Sequence, residues 1–143
     1  MRVVIDTNVL VSSFFGGKPS QVIDLWRKGR IELCMSKDIL EEYVEVAARF
    51  GLKHKEEILE LVNLFSRGFN TVWTFDPPRL KLDMKDIDDA KFLECAVACR
   101  CECVITGDAE FRKIDRYGNV EILLPAEFLA EDFECIRGEG QDD

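Results

Sequence analysis

The sequence predicts an α/β domain built on a parallel sheet, and three observations carry that reading. Strand-like and helix-like stretches alternate along all 143 residues. Val3-Val4-Ile5 and Val104-Ile105 are unbroken β-branched runs without polar alternation, which suits central strands covered on both faces. No repeat, low-complexity linker or composition boundary divides the chain, and its length suits one domain with a substantial core.

Each element has its own signal. The first strand runs into Asp6-Thr7-Asn8, and the chain then breaks at Gly16-Gly17-Lys18-Pro19. Ser20 is read as the cap of a short helix, Gln21 to Lys28, which Gly29 ends. Residues 31–35 form a second strand. Ser36 caps the next helix, where Ile39, Leu40, Tyr43, Val46, Ala47 and Phe50 recur at helical spacing. Glu42 borders that apolar stripe, while Glu41 and Glu45 point further towards solvent. A helix from Lys55 to about Arg67 and a strand over 71–75 follow, closed by Asp76-Pro77-Pro78. Asp86 is a candidate N-cap for a helix with Phe92, Cys95, Ala96 and Cys99 on its buried face, and Asp89 lies at the edge of that stripe. Val104-Ile105 runs into Thr106-Gly107-Asp108, and a helix from Ala109 to Asp115 is expected next. Residues 120–124 make the last strand, and Pro125 opens a final helix to about Phe133. The domain is thus placed at 1–133, with an acidic, loose tail at 134–143.

Composition narrows the function classes. Hydrophobic residues are 47% and charged residues 33%, and no apolar run is long enough to span a bilayer, so no membrane role is expected. The first strand begins at once, with no signal-peptide pattern, and the expected location is cytoplasmic. Six cysteines are read as reduced thiols that pack as small hydrophobes, because paired C-x2-C knuckles are missing. His54 is read as a surface bystander, and Trp26 and Trp73 as core. The formal net charge is −9, and residues 125–143 hold seven acids against one Arg. Lys18, Arg27, Lys28, Arg30, Arg49, Lys53 and Lys55 make either a modest phosphate-binding rim or a solvated face.

Four acids fall at related places. Asp6 ends the first strand, Glu42 lies early in the helix after the second, Asp89 begins the helix before the fourth strand, and Asp108 follows that strand. Each alone reads equally as a turn or N-cap residue. If the first and fourth strands are neighbours, all four meet at one sheet edge, beyond the strand carboxyl ends where ligands of open α/β sheets bind. No Lys or Arg is read as part of these motifs, so the four would repel one another unless a cation were present. A hard divalent cation with oxygen ligands resolves this, and such an ion commonly engages phosphate. Thr7, Asn8 and Thr106 add neutral oxygens.

The ordered set Asp6-Thr7-Asn8, Ser36…Leu40-Glu41-Glu42-Tyr43, Asp86-Ile87-Asp88-Asp89…Phe92-Leu93…Ala96 and Val104-Ile105-Thr106-Gly107-Asp108 resembles the PIN domain. Within that family the chain is most similar to prokaryotic single-domain proteins assigned as toxins of type II toxin–antitoxin systems. The resemblance spans about residues 1–130. It implies a Rossmann-like, three-layer α/β/α fold with a central, mainly parallel sheet of four to five strands. It implies Mg²⁺- or Mn²⁺-dependent cleavage of single-stranded RNA that leaves a 3′-hydroxyl and a 5′-phosphate. By motif, Asp6, Glu42, Asp89 and Asp108 match the catalytic, metal-binding acids, and Asn8 and Thr106 the polar residues beside them. Asp86 and Asp88 are additional acids in the third motif. The expected partners are a single-stranded RNA substrate, an antitoxin protein and a second copy of the chain. A haloacid-dehalogenase-type phosphatase is disfavoured, because Asn8 stands where that chemistry needs a second Asp. A non-catalytic module of the same fold that binds RNA or protein is the other reading, and the acidic balance favours it.

Overall fold

A computed structural model describes residues 1–81 and 89–130, and the expected cap Asp86 and the acidic tail lie outside them. The chain forms β1 (Arg2–Ile5), α1 (Thr7–Ser12), a 3-10 turn (Ser13–Phe15), α2 (Gly17–Arg27) and β2 (Glu32–Met35). It continues with α3 (Lys37–Ala48), a second 3-10 turn (Gly51–His54), α4 (Lys55–Ser66) and β3 (Thr71–Trp73). Then come α5 (Ala90–Cys99), β4 (Cys103–Ile105), α6 (Ala109–Arg112), β5 (Arg116–Tyr117) and β6 (Val120–Leu123). Residues 125–130 are helical.

The sheet order is β3-β2-β1-β4-β6-β5, with every pairing parallel except β5–β6. Successive strands run outward from β1 to β3, and the chain then returns to the other side of β1 for β4. The order therefore reverses between β1 and β4, which makes that junction the switch point of the sheet. Val3, Val4 and Ile5 are all fully buried, as are Leu33, Cys34 and Met35. Because successive side chains point to opposite faces, both faces of the central strands are covered, and the fold is three-layered. Trp26 is fully buried in the core, and Trp73 packs against it half-buried.

The strand count is six rather than four to five. β5 is only two residues long, too short to carry a period-2 signal, and pairs antiparallel with β6 across a turn in which Gly118 has φ +57°. It begins where a helix to Asp115 was expected: α6 stops at Arg112, and Asp115 turns the chain with φ +67°. The helix expected from Gln21 starts four residues earlier, at Gly17. Pro19 is accommodated in its first turn, where backbone N–H groups have no intrahelical partner. Ser20 is consequently inside the helix and not its cap. Directly after Asp6, Thr7–Ser12 is helical in spite of two valines, and Val9, Leu10 and Val11 are buried, so packing prevails over propensity.

Candidate functional site

The centre is built at the β1/β4 junction. The pairing sets Val3 opposite Cys103, Val4 opposite Val104 and Ile5 opposite Ile105. The next residues on each strand, Asp6 and Thr106, therefore emerge at the same level, and the Asp6 amide donates to the Ile105 carbonyl at 2.9 Å. Thr106 is fully buried and donates its hydroxyl to Asp6 Oδ2 at 2.7 Å. The same hydroxyl oxygen accepts the Asp108 backbone N–H at 3.0 Å. One buried hydroxyl thus links the Asp6 carboxylate to the backbone of Asp108, the two acids that follow neighbouring central strands.

Both acids also hold helix starts. Asp6 N-caps α1 through a long contact of 3.4 Å from the Asn8 amide. Asp108 N-caps α6 through its Oδ1, which accepts from the Glu110 amide at 2.9 Å. Capping and site membership are compatible here, since a carboxylate has several acceptor positions. Burial raises the Asp6 carboxyl above its ordinary value. The Thr106 hydroxyl and the Asn8 amide offset this in part, and the charges of Glu42 and Asp108 push it up further.

Glu42 comes from α3. Ser36 starts that helix as expected, its Oγ accepting from the Ile39 amide. Tyr43 is buried and donates its hydroxyl to the Ile5 carbonyl, which fixes α3 on the end of β1. The neighbouring residue, Glu42, is 29% exposed, against 64% for Glu41 and 70% for Glu45, so it faces inward as the helical wheel predicts. Thr7 donates to its Oε2, and the Lys91 ammonium lies 2.9 Å from its Oε1. Lys91 overturns the expectation that no cation is built into these motifs. It occupies the first turn of α5, where the helix dipole disfavours positive charge; with the helix expected from Asp86, the sequence placed it beyond that turn and gave no signal.

The remaining candidates are placed differently. Asp89 directly precedes α5 in right-handed helical conformation, and its carboxyl does not cap that helix. Asp86 and Asp88 lie outside the described residues. Asn8 is exposed, and only its backbone reaches Asp6. His54 is not the surface residue expected: its side chain is 17% exposed and packs among Phe14, Phe15 and Phe50. Of the basic rim, Arg27 is paired with Asp24 and Glu60, and Arg49 with Glu45.

Among the described residues, no three His, Cys, Asp or Glu side chains converge into a ready metal cage. The donor set at the centre is nevertheless all oxygen and all anionic, from Asp6 and Asp108 with Glu42 beside them. It fits a hard ion that keeps most of its water and needs only one or two carboxylates, as Mg²⁺ does.

Comparison with known proteins agrees with this architecture. A chain of the VapBC2 complex of Rickettsia felis, solved bound to a DNA fragment from its promoter, has the same fold with a TM-score of 0.55. The two are 15% identical, and the match covers 85% of this chain and 97% of that one. Comparison with curated proteins gives no match. Residues 2–110, from the first strand through Asp108 to the start of α6, match the PIN domain, and the chain belongs to that family.

Proposed function

We propose that the chain is a divalent-metal-dependent endoribonuclease that cleaves single-stranded RNA, and that it is the toxin of a toxin–antitoxin pair. The observation that carries the reading is the Asp6–Thr106–Asp108 bridge at the switch point of the sheet. The Asp6 carboxylate, buried and raised, is tied through Thr106 to the backbone of Asp108, whose charge is felt at Asp6, and such a pair of neighbouring acids favours a cation. Asp6 and Asp108 would hold Mg²⁺ or Mn²⁺. Such an ion, when bound, activates water and neutralises charge that develops on a phosphodiester.

The chain's own residues supply the positioning. Thr106 fixes one oxygen of Asp6 and, through the Asp108 amide, the start of α6. Tyr43 holds α3 against β1, so that Glu42 presents a third carboxylate next to Asp6. Glu42 and Asp108 keep the centre strongly acidic, which favours a cation and disfavours a naked phosphate.

An antitoxin partner is consistent with two features. An Arg or Lys inserted into the acidic edge would neutralise it. In addition, α3 and α4 flank an apolar groove of about 310 Å³ lined by Leu40, Val44, Leu61 and Val62, and Val44 and Val62 are about half exposed. A homodimer is part of the same proposal. The second reading, a non-catalytic binding module, draws on the net charge of −9 and on the ion pairing of Arg27 and Arg49, two of the basic residues of the rim.

The test is cleavage of an end-labelled single-stranded RNA with Mn²⁺ or Mg²⁺, beside an EDTA control and an Asp6→Asn protein purified identically. Cleavage that disappears with both EDTA and Asp6→Asn supports the proposal. Equal cleavage by Asp6→Asn, or none by the wild type while Mn²⁺ still binds, refutes the ribonuclease assignment.

A further inference from the structure

Four thiols of the core touch in a chain. Cys34 lies on β2, Cys95 and Cys99 on α5, and Cys101 in the turn from α5 to β4. The Cys101 thiol donates to Cys34 Sγ at 2.9 Å, across 67 residues of sequence. Cys99 donates to Cys34 as well, and Cys95 donates to Cys99. Thiols are weak donors, and other small apolar side chains fill a core without bringing two sulfurs together. The pair is buried, with Cys34 0% and Cys101 3% exposed. Cys101 nevertheless lines an open cleft of about 610 Å³ beside Arg100, Tyr117 and Asn119, so the pair lies directly under a space that a small solute can enter.

We propose that Cys34 and Cys101 form an oxidation site, at which hydrogen peroxide converts the two thiols to a disulfide that ties β2 to the α5–β4 turn. The Cys34 thiolate attacks one peroxide oxygen, the O–O bond breaks, and the other oxygen leaves as water after taking up a proton, so that Cys34 becomes a sulfenic acid. The Cys101 sulfur then displaces the hydroxyl of that acid, which leaves with the Cys101 proton as a second water, and the S–S bond forms. Two thiols and one peroxide thus give one disulfide and two waters. The hydrogen bond from Cys101 holds the Cys34 thiol below its ordinary value; burial opposes this, and Cys99 and the charge of Arg2 add to it. Cys101 is the favoured partner over Cys99, because it follows the helix and lies on the cleft, whereas Cys99 is fixed in the last turn of α5. The finished bond adds no atoms to the core, so burial that excludes an alkylating reagent still leaves room for it. The site lies at the amino end of β4, away from Thr106 beyond its carboxyl end, and does not rest on the metal-dependent reading.

The experiment treats the reduced, folded chain with hydrogen peroxide in native buffer containing EDTA. The remaining thiols are then alkylated in guanidinium, and bridged peptides are identified by mass spectrometry. The expected product is one disulfide between Cys34 and Cys101, reversed by dithiothreitol. The oxidised protein is expected to melt roughly 5 °C or more above the reduced one, because the bridge constrains the unfolded chain. Cys34→Ala and Cys101→Ala are each expected to abolish the bridge, and Cys95→Ala to retain it. Should an alanine variant fail to fold, the peptide map of the wild type decides alone. A bond from Cys34 to Cys99 or to any other cysteine overturns the proposal. So does a bridge that forms only in guanidinium, an oxidised protein that melts below the reduced one, or a wild type in which Cys34 and Cys101 stay unbridged.

Discussion

At the scale of residues, the centre is held by a few polar atoms whose removal has opposite consequences. Asp6 binds its proton more tightly in the folded chain than in the unfolded one, because burial disfavours its charge. In the absence of metal, stability therefore falls as pH rises from about 4 through the raised value, and the loss is complete above it. Asp6→Asn keeps a competent helix cap without the charge. In EDTA at pH 7 it is expected to raise Tm by roughly 3–6 °C, the shift that about 1 kcal/mol gives in a domain of this size. The same substitution is expected to abolish cleavage. Thermal melts from pH 4 to 8, with and without Mn²⁺, check this: the difference between variant and wild type should grow with pH and shrink or reverse when metal is added. Thr106→Val acts the other way. It leaves a buried Asp6 oxygen and the Asp108 amide without their shared partner, which costs about 2–3 kcal/mol in urea unfolding. Cleavage is expected to drop at least about tenfold, because the Asp6 carboxylate and the Asp108 backbone lose their common anchor.

The carboxylates at strand ends were legible from sequence because their position follows from strand periodicity and the α/β switch-point rule. The Thr106 bridge was only half legible: Thr106 was recognised as a polar neighbour, but its link to both acids depends on the register of β1 against β4. Lys91 was missed because a lysine two residues after an acidic run reads as ordinary helix surface. Its burial against Glu42 depends on how α3 and α5 cross, and the helical spacing of either segment does not encode that.

At the scale of elements, long periodic helices were read well and short ones poorly. α3 and α4 carry strong amphipathic patterns, and both run close to their expected bounds. The short α1 is built from a polar pair and buried valines, a composition that also suits a strand or turn, and only its packing decides. The end of the fold depends on a side-chain tie. Arg112 of α6 makes a bidentate pair with Glu127, at 2.6 and 2.8 Å, and Glu127 also accepts the Leu124 amide. The Arg112 guanidinium first, and that amide second, lower the Glu127 carboxyl to about 2. A depressed carboxyl contributes its stability above the unfolded value and loses it as pH falls towards the folded one. Glu127→Gln is therefore expected to lower Tm most above about pH 4.5, with the difference closing towards pH 2. Parallel melts of the two proteins across that range read it directly. A difference that does not depend on pH would show that the pair contributes shape and not charge.

At the scale of the whole molecule, the sheet covers its centre so completely that the cysteines become core material. Cys34, Cys95, Cys99, Cys101 and Cys103 are all buried thiols, as the sequence reading expected. Cys101 donates to Cys34 at 2.9 Å, and burial pushes the Cys99 thiol up to about 11. Native protein at pH 7.5 is expected to protect these five from iodoacetamide, whereas all six cysteines of the chain alkylate in guanidinium. Mass spectrometry after a timed pulse distinguishes the two states. Rapid labelling of the native pool would contradict the buried arrangement. The net charge works at this scale too. With a net charge of −9, and Arg27 and Arg49 tied into ion pairs, RNA affinity is expected to depend on the metal centre more than on a basic surface, so its salt dependence should be shallow.

The central claim is that Asp6 and Asp108, joined through Thr106, form the divalent-ion centre of the fold. The most direct measurement is Mn²⁺ titration of the wild type, Asp6→Asn, Asp108→Asn and the exposed-site control Glu45→Gln, with heat and melting temperature recorded together. Binding to the native state must raise Tm. Heat and stabilisation in the wild type and Glu45→Gln, with both lost in Asp6→Asn and Asp108→Asn, is the result this account predicts. Binding that survives both aspartate substitutions would place the ion elsewhere and contradict it.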